Sequence, residues 1–270
     1  MNSTELYLEL LDSIDKPDST ELFENQLRFD EINKIFFEDI YCKKRTGPGK
    51  RRKAESKDEI GQQINQLRPL CDKCWSFFFR PVQNRKYDKQ EDIHNANFFE
   101  NKIMNFLKKK AFNVIRGDDE NLGHHKGYPD LLVLGKNNDP ICYLEIKYNA
   151  APFLKVSKYV KGRECYEGSL TLNPKKLKRQ VGMLGTQIKI PVYYVYWADF
   201  PCLKGIFFTE IQNIWNYFEE IGSGDQHDRR AGEGDFSYGR KIGQTQIIYP
   251  PIMEMKNFEE LIDKLNELCV

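Results

Sequence analysis

The sequence predicts an α/β fold, a mixed β-sheet flanked by helices, with a mainly helical region ahead of it. Three observations carry that prediction. From about residue 95, segments with three- and four-residue apolar spacing alternate with short apolar runs rich in Val, Ile and aromatics. Before that point, "TELFENQLRFDEINKIFFEDI" carries helical apolar spacing. The composition, 40% hydrophobic and 30% charged over 270 residues, is that of a globular chain able to bury a sizeable core. Residues 1–94 are read as an N-terminal mainly helical region, and residues 95–270 as the domain that holds the sheet.

Taken in order, residues 3–16 and 19–41 are expected to be helical, the second with Leu22, Phe23, Leu27, Ile32, Ile35, Phe36 and Ile40 along one stripe. "NFFENKIMNFLKKKAF" predicts a helix with Ile103, Met104, Leu107 and Ala111 on its inner face and Lys108, Lys109 and Lys110 at its C-terminal end, where the dipole favours cations. A strand is expected at 112–116. "GYPDLLVLG" and "ICYLEIKY", separated by the turn signal "NNDP", then form a hairpin. "LNPKKLKRQVGML" opens a helix with Asn173 as N-cap and Pro174 at its first position, Leu177, Val181 and Leu184 facing inward. "PVYYVYWA" at 191–198 and "GIFF" at 205–208 are strands. "TEIQNIWNYFEEI" starts on a Thr209 to Gln212 capping-box spacing and buries Ile211, Trp215 and Phe218. The last helix, "NFEELIDKLNEL", has the same kind of box from Asn257 to Glu260.

Charge is balanced overall, 41 Lys and Arg against 40 Asp and Glu, so any interaction with a polyanion must come from local clusters. One cluster is "KKRTGPGKRRKAESK", residues 43–57, either a solvated linker or a phosphate-contacting arm. Another is the glycine-rich loop 222–244, which carries Arg229, Arg230, Arg240 and Lys241 and whose length is that of a functional or a mobile loop. No apolar run reaches the roughly 20 residues of a membrane span, and the acidic start lacks a basic leader, so a cytoplasmic protein is expected. Seven irregularly spaced cysteines are not a disulfide framework. Cys71 and Cys74 form a lone Cys-x-x-Cys, two ligands short of a zinc site, and His124 and His125 receive no catalytic role.

The hairpin contains the feature that asks for chemistry. Asp130 opens its first strand, and Glu145 and Lys147 interrupt an otherwise apolar second strand, both on one face because strand side chains alternate. Charges are seldom buried unless paired or metal-bound, so this is either an accident at a sheet edge or a site. A short hairpin brings the two carboxylates together. A divalent cation relieves their repulsion, and hard oxygen ligands suit Mg²⁺. A neighbouring lysine can help deprotonate an attacking water or stabilise charge growing on phosphorus.

"PD" at 129–130 followed by "EIK" at 145–147, on a hairpin preceded by a helix and followed by a basic helix and a strand, resembles the PD-(D/E)XK nuclease superfamily. The chain's size and flanking regions resemble its type II restriction endonuclease branch. The resemblance covers about residues 95–215 and implies a restriction-endonuclease-like core. It implies that Asp130 and Glu145 bind Mg²⁺ with the main-chain carbonyl of Ile146, and that Lys147 assists attack of water on a phosphodiester. Many members add a carboxylate from the preceding helix. Glu100 is the candidate, on the face of Ile103, Met104 and Leu107, although in the first helical turn it could instead simply meet the dipole.

Lys175, Lys176, Lys178 and Arg179 crowd the start of the 174–185 helix against the dipole's preference, which fits a phosphate backbone nearby as well as a solvated face. Gln180, beside Leu177 and Leu184, is either a site contact or a buried, hydrogen-bonded amide. The resulting expectation is a Mg²⁺-dependent type II restriction endonuclease acting on double-stranded DNA as a homodimer, with recognition shared between the N-terminal region and the Gly/Arg loop. The alternatives are a structure-specific repair or recombination nuclease of the same fold, and a non-catalytic nucleic-acid-binding protein.

Overall fold

A computed structural model describes residues 1–13, 89–117, 127–149, 172–199, 204–221, 227–228, 236–237, 240–241, 246–248, 250 and 255–269. The helix expected at 19–41, the basic segment 43–57, Cys71, Cys74, His124, His125, Arg229 and Arg230 lie outside them. Among the described residues the order is α1 (Ser3–Asp12), α2 (Lys89–Lys109), β1 (Asn113–Arg116), β2 (Leu131–Leu134), β3 (Pro140–Asn149), α3 (Pro174–Met183), β4 (Val192–Asp199), β5 (Lys204–Glu210), α4 (Ile211–Ile221), β6 (His227–Asp228), β7 (Phe236–Ser237), β8 (Arg240–Lys241), β9 (Gln246–Ile247), β10 (Lys256–Asn257) and α5 (Phe258–Leu268).

Six strands form one sheet in the order β1-β2-β3-β4-β5-β10. Every pairing is antiparallel except β3 with β4. That parallel step needs a crossover, and α3 lies within it. The β2–β3 turn closes through Gly135 and Asp139, with Asn138 in the left-handed region at φ 62, a conformation its short polar side chain tolerates. The mixed sheet between helices is the architecture the residue pattern predicts.

Alternation along the strands divides the core into two layers. Leu144, Ile146, Tyr193, Val195, Trp197 and Phe208 face one way, toward α1, α2 and α5. Tyr143, Tyr194, Tyr196 and Phe207 face the other, toward α3 and α4. Glu145 and Lys147 sit between residues of the first layer, so they project into the second. The N-terminal helix belongs to this core. Trp197 Nε1 donates to Tyr7 Oη at 3.0 Å, and the Glu259 amide donates to Ser3 Oγ at 3.0 Å. Helix α2 begins at Lys89, ahead of the boundary expected at residue 95.

The helix ends show which local signals won. Asn2 with Glu5, and Asn257 with Glu260, form complete capping boxes, and Asn173 caps α3 ahead of Pro174. Thr209 does not cap α4. It is buried in β5, paired in register with Tyr194, and its hydroxyl accepts from Asn213 Nδ2 at 3.0 Å. Ladder pairing has displaced the capping box. Ala111 is not on the inner face of α2 either. It is exposed beyond the helix at φ 67, between the Ala111 to Lys108 and Phe112 to Leu107 amide–carbonyl bonds of a Schellman exit. The inner face of α2 is instead Phe99, Ile103, Phe106 and Leu107. Helix α3 is rotated from the expected stripe: Pro174, Leu177, Gln180 and Met183 are buried, while Val181 and Leu184 pack only partly.

Candidate active site

The ladder between β2 and β3 runs from Leu134 down to the Leu131–Leu144 pair and stops there. Beyond it the backbone amide of Ile146 has no β2 partner, and Asp130 Oδ2 accepts its hydrogen bond at 2.7 Å. Asp130 is held from the other side as well. Its carbonyl accepts the Gly117 amide at 2.9 Å, an approach only glycine allows, because a Cβ at residue 117 would lie 2.2 Å from the Pro129 carbonyl oxygen. Two backbone contacts thus anchor the residue at the end of the hairpin.

Glu145 is 0% exposed and Asp130 keeps 13% of its side-chain surface. Two carboxylates so buried require partners. Lys147 Nζ contacts Glu145 Oε1, donates to the Ile146 carbonyl at 3.0 Å and lies 3.9 Å from Asp130 Oδ2. Lys176, reaching across from α3, contacts the same Glu145 Oε1 and lies 3.6 Å from Asp130 Oδ1. The other Glu145 oxygen accepts Gln180 Nε2 at 2.8 Å, and Gln180 Oε1 in turn accepts the Tyr194 hydroxyl. Tyr194 is the β4 register partner of Glu145. Buried polar groups are expected to be satisfied in this way, and each Glu145 oxygen is.

The electrostatics separate the two acids. Burial, followed by the Glu145 charge, pushes Asp130 up from 3.8 to about 7 against the opposing pull of Lys147 and Lys176. Burial acts on Glu145 in the same sense, but there Lys147 and Lys176 outweigh it and hold the carboxyl below its ordinary range. Lys176 is raised, since Glu145 and Asp130 overcome the burial that would neutralise it. Burial, then Glu145 and Asp130, drive the Tyr194 hydroxyl well above its usual value, so it remains a donor.

The donor set fits a hard divalent cation. Asp130, Glu145 and the Ile146 carbonyl present oxygens toward the place the lysine ammoniums occupy, and Ile146 O is free of the β2 ladder. No group of three or more His, Cys, Asp or Glu side chains fit to hold a metal occurs among the described residues. The structure therefore brings Asp130, Glu145, Ile146 and Lys147 together and leaves Glu100 beside them. Glu100 lies well inside α2 rather than in its first turn, and its carboxylate is paired with Arg116, which also donates to Asn101 at 3.1 Å. Its charge still reaches the site, adding to the rise of Asp130.

The basic residues of α3 divide. Lys175 and Arg179 are exposed, Arg179 packs against Gly127, and Lys178 sits over the Phe218 ring at 5.0 Å. Lys176 alone among these four contacts the carboxylates. Arg240 begins β8, which pairs with β7 in a two-stranded ribbon. The sequence reading missed the engagement of Lys176 with the acids and the part of Tyr194. Lys176 shares a helix face with Gln180 four residues on, but its reach to the acids comes from the sheet, and no spacing marks it or Tyr194.

No family model matches the chain, and a search of the curated proteins finds no match. Among solved structures, a nuclease from a fusselovirus is similar, with 14% sequence identity, 68% of this chain and 96% of that chain covered, and a TM-score of 0.36. No helix among the described residues is long and apolar enough to cross a membrane.

Proposed function

We propose that the chain is a Mg²⁺-dependent nuclease that hydrolyses phosphodiester bonds in double-stranded DNA. The observation that supports this best is the convergence of Asp130, Glu145, the Ile146 carbonyl and the Lys147 ammonium at the end of one hairpin. Asp130, Glu145 and Ile146 O are the residues to hold Mg²⁺, which when bound supplies Lewis-acid polarisation of the phosphate and eases deprotonation of water. Lys147 lies on the next same-face position of β3 and places a cation where negative charge develops. Gln180 orients Glu145, so the acid presents a fixed oxygen to the cation. Glu100 stands by as an outer carboxylate that Arg116 holds. In the reaction a water oxygen bonds to phosphorus and one P–O ester bond breaks. One water proton goes to the surrounding solvent and the leaving oxygen takes up another, giving a hydroxyl and a phosphomonoester.

The narrower reading is a type II restriction endonuclease, a two-fold homodimer that matches a palindromic site. Its support is the "PD…EIK" resemblance together with the exposed Lys175 and Arg179 on α3, and Lys178, which provide cations for a phosphate backbone. Arg229, Arg230 and Arg240 extend that role to the Gly/Arg loop. The test is digestion of defined plasmid and phage DNA with and without Mg²⁺, wild type beside Asp130→Ala. Discrete Mg²⁺-dependent fragments absent in the variant are expected. A smear lost in the variant would keep the chemistry and remove the site specificity; equal cutting by both proteins would remove the assigned chemistry.

A further inference from the structure

Four basic residues crowd the first turns of α3, and one of them behaves differently from the rest. Lys176 is the third residue of the helix, in the turn where exposed amide dipoles disfavour a cation. Its compensation comes from Glu145 and Asp130. Glu145 already has a counter-ion two residues along its own strand, Lys147, on the same oxygen. Lys176 is a second ammonium on that oxygen, and at 3.6 Å from Oδ1 it also lies nearer to Asp130 than Lys147 does at 3.9 Å from Oδ2.

From this convergence of two ammoniums on one Glu145 oxygen we infer that Lys176 is a second active-site lysine. In the metal-free protein it masks the carboxylate pair, and on divalent-cation binding it is released toward the scissile phosphate. The inference rests on the nuclease reading above. Three observations carry it. Lys147 approaches the Asp130 carboxylate at Oδ2 and Lys176 at Oδ1, and both contact Glu145 Oε1, so the two ammoniums bracket the acids in the space a shared cation would need. The acids cannot move away, because Glu145 is fully buried and fixed by Gln180, whereas the Lys176 side chain is 37% exposed on a flexible stem. Charge completes the argument. With both acids ionised, as cation binding requires, two carboxylates and two ammoniums sum to zero, so a divalent cation leaves the site with two positive charges in excess. An anionic diester attacked by a deprotonated water gathers about two negative charges on its phosphoryl oxygens. The masked site is balanced at rest, and the loaded site is balanced at the transition state.

Lys176→Met, which keeps the apolar stem and removes the charge, separates this role from a structural one. Mn²⁺ binding is measured by titration calorimetry without DNA, and single-turnover cleavage of plasmid DNA is measured in Mg²⁺. With the mask removed, Mn²⁺ should bind about tenfold tighter or more. With the phosphate contact removed, cleavage should fall by about 10²-fold or more. A residue that merely holds the fold would move both in the unfavourable direction. Unchanged or weaker Mn²⁺ binding by Lys176→Met, beside an active wild type, overturns the inference alone. A wild type that binds Mn²⁺ and cuts no DNA overturns the nuclease reading and the phosphate role with it, while tighter binding by the variant would still establish the masking role. Should Lys176→Met fail to fold, Lys176→Arg decides: retention of charge predicts Mn²⁺ affinity within about twofold of wild type, and a tenfold rise overturns the mask.

Discussion

Asp130 accepts the backbone amide of Ile146 at 2.7 Å, immediately past the last ladder pair between β2 and β3. A side chain thus continues strand pairing where the backbone has left it, and the Ile146 carbonyl stays outside that ladder. The same contact ties the acid of one strand to the strand that carries Glu145 and Lys147. Position and chemistry are coupled: whatever moves Asp130 also exposes an amide on the edge of the site.

The displaced ionisation of Asp130 predicts a pH dependence with a definite sign. Its carboxyl titrates near 3.8 in an unfolded chain and at about 7 in the folded protein. Between those values the folded state holds a proton the unfolded state has lost, so Asp130 makes stability fall as pH rises through that window. Each unit of displacement corresponds to about 1.4 kcal/mol. Urea denaturation in chelator should show Asp130→Asn equal to wild type near pH 4 and more stable than wild type at pH 8, by on the order of 1 kcal/mol or more. A stability difference that stays constant over this range would contradict the burial argument.

Gly117 offers a test of positioning at a distance from the carboxylates. A methyl group there meets the Pro129 carbonyl oxygen at 2.2 Å and the Leu131 backbone at 3.0 Å, neither of which can rotate aside as a side chain would. Gly117→Ala is expected to cost about 1–3 kcal/mol and to displace Asp130 from Ile146. Chemical denaturation measures the first effect and Mg²⁺-dependent cleavage the second. Loss of stability with full cleavage would show that the site tolerates movement of the hairpin base.

The hairpin and its acids were legible because their signals are local. Pro129 and Asp130 adjoin an apolar run, "NNDP" marks the turn, and charged Glu145 and Lys147 break a buried strand. The capping box at Asn257 is local in the same way. Three features depended on contacts that spacing does not encode. Thr209 has a capping residue's side chain, yet pairing with Tyr194 kept it in β5. The packing of α3 on the sheet left Val181 and Leu184, expected on its inner stripe, only half-covered, which no helical wheel of this segment decides. Lys176 looked like its basic neighbours until the sheet placed two acids within its reach.

Ala111 supplies a stability prediction independent of function. It occupies the left-handed position of a Schellman exit at φ 67, where a Cβ costs roughly 1 kcal/mol and glycine carries no such strain. Greater backbone freedom of glycine in the unfolded chain offsets part of the gain. Ala111→Gly should stabilise the protein by about 0.5 kcal/mol, read as a higher denaturation midpoint at an unchanged slope, with cleavage unaffected because the residue is exposed and far along the chain from the acids.

Tyr194 governs which way Gln180 faces. Its hydroxyl donates to Gln180 Oε1, leaving Nε2 to donate to Glu145 at 2.8 Å, and every group in this chain is buried. Tyr194→Phe keeps the ring and removes that donor, so Gln180 Oε1 loses its buried partner at a cost of about 1–3 kcal/mol. Without the hydroxyl the amide is held only by its bond to Glu145, and the orientation of the pair is less firmly fixed. Cation binding should then weaken, because Glu145 is no longer held in one orientation, and the Mg²⁺ concentration for half-maximal cleavage should rise while the maximal rate falls less. Gln180→Glu makes the complementary test, since it replaces the donor toward Glu145 with a third carboxylate. That variant should lose both stability and cleavage more severely than Tyr194→Phe. If Tyr194→Phe instead lowered the maximal rate at an unchanged Mg²⁺ requirement, the hydroxyl would act on the reaction directly and not through the orientation of Glu145.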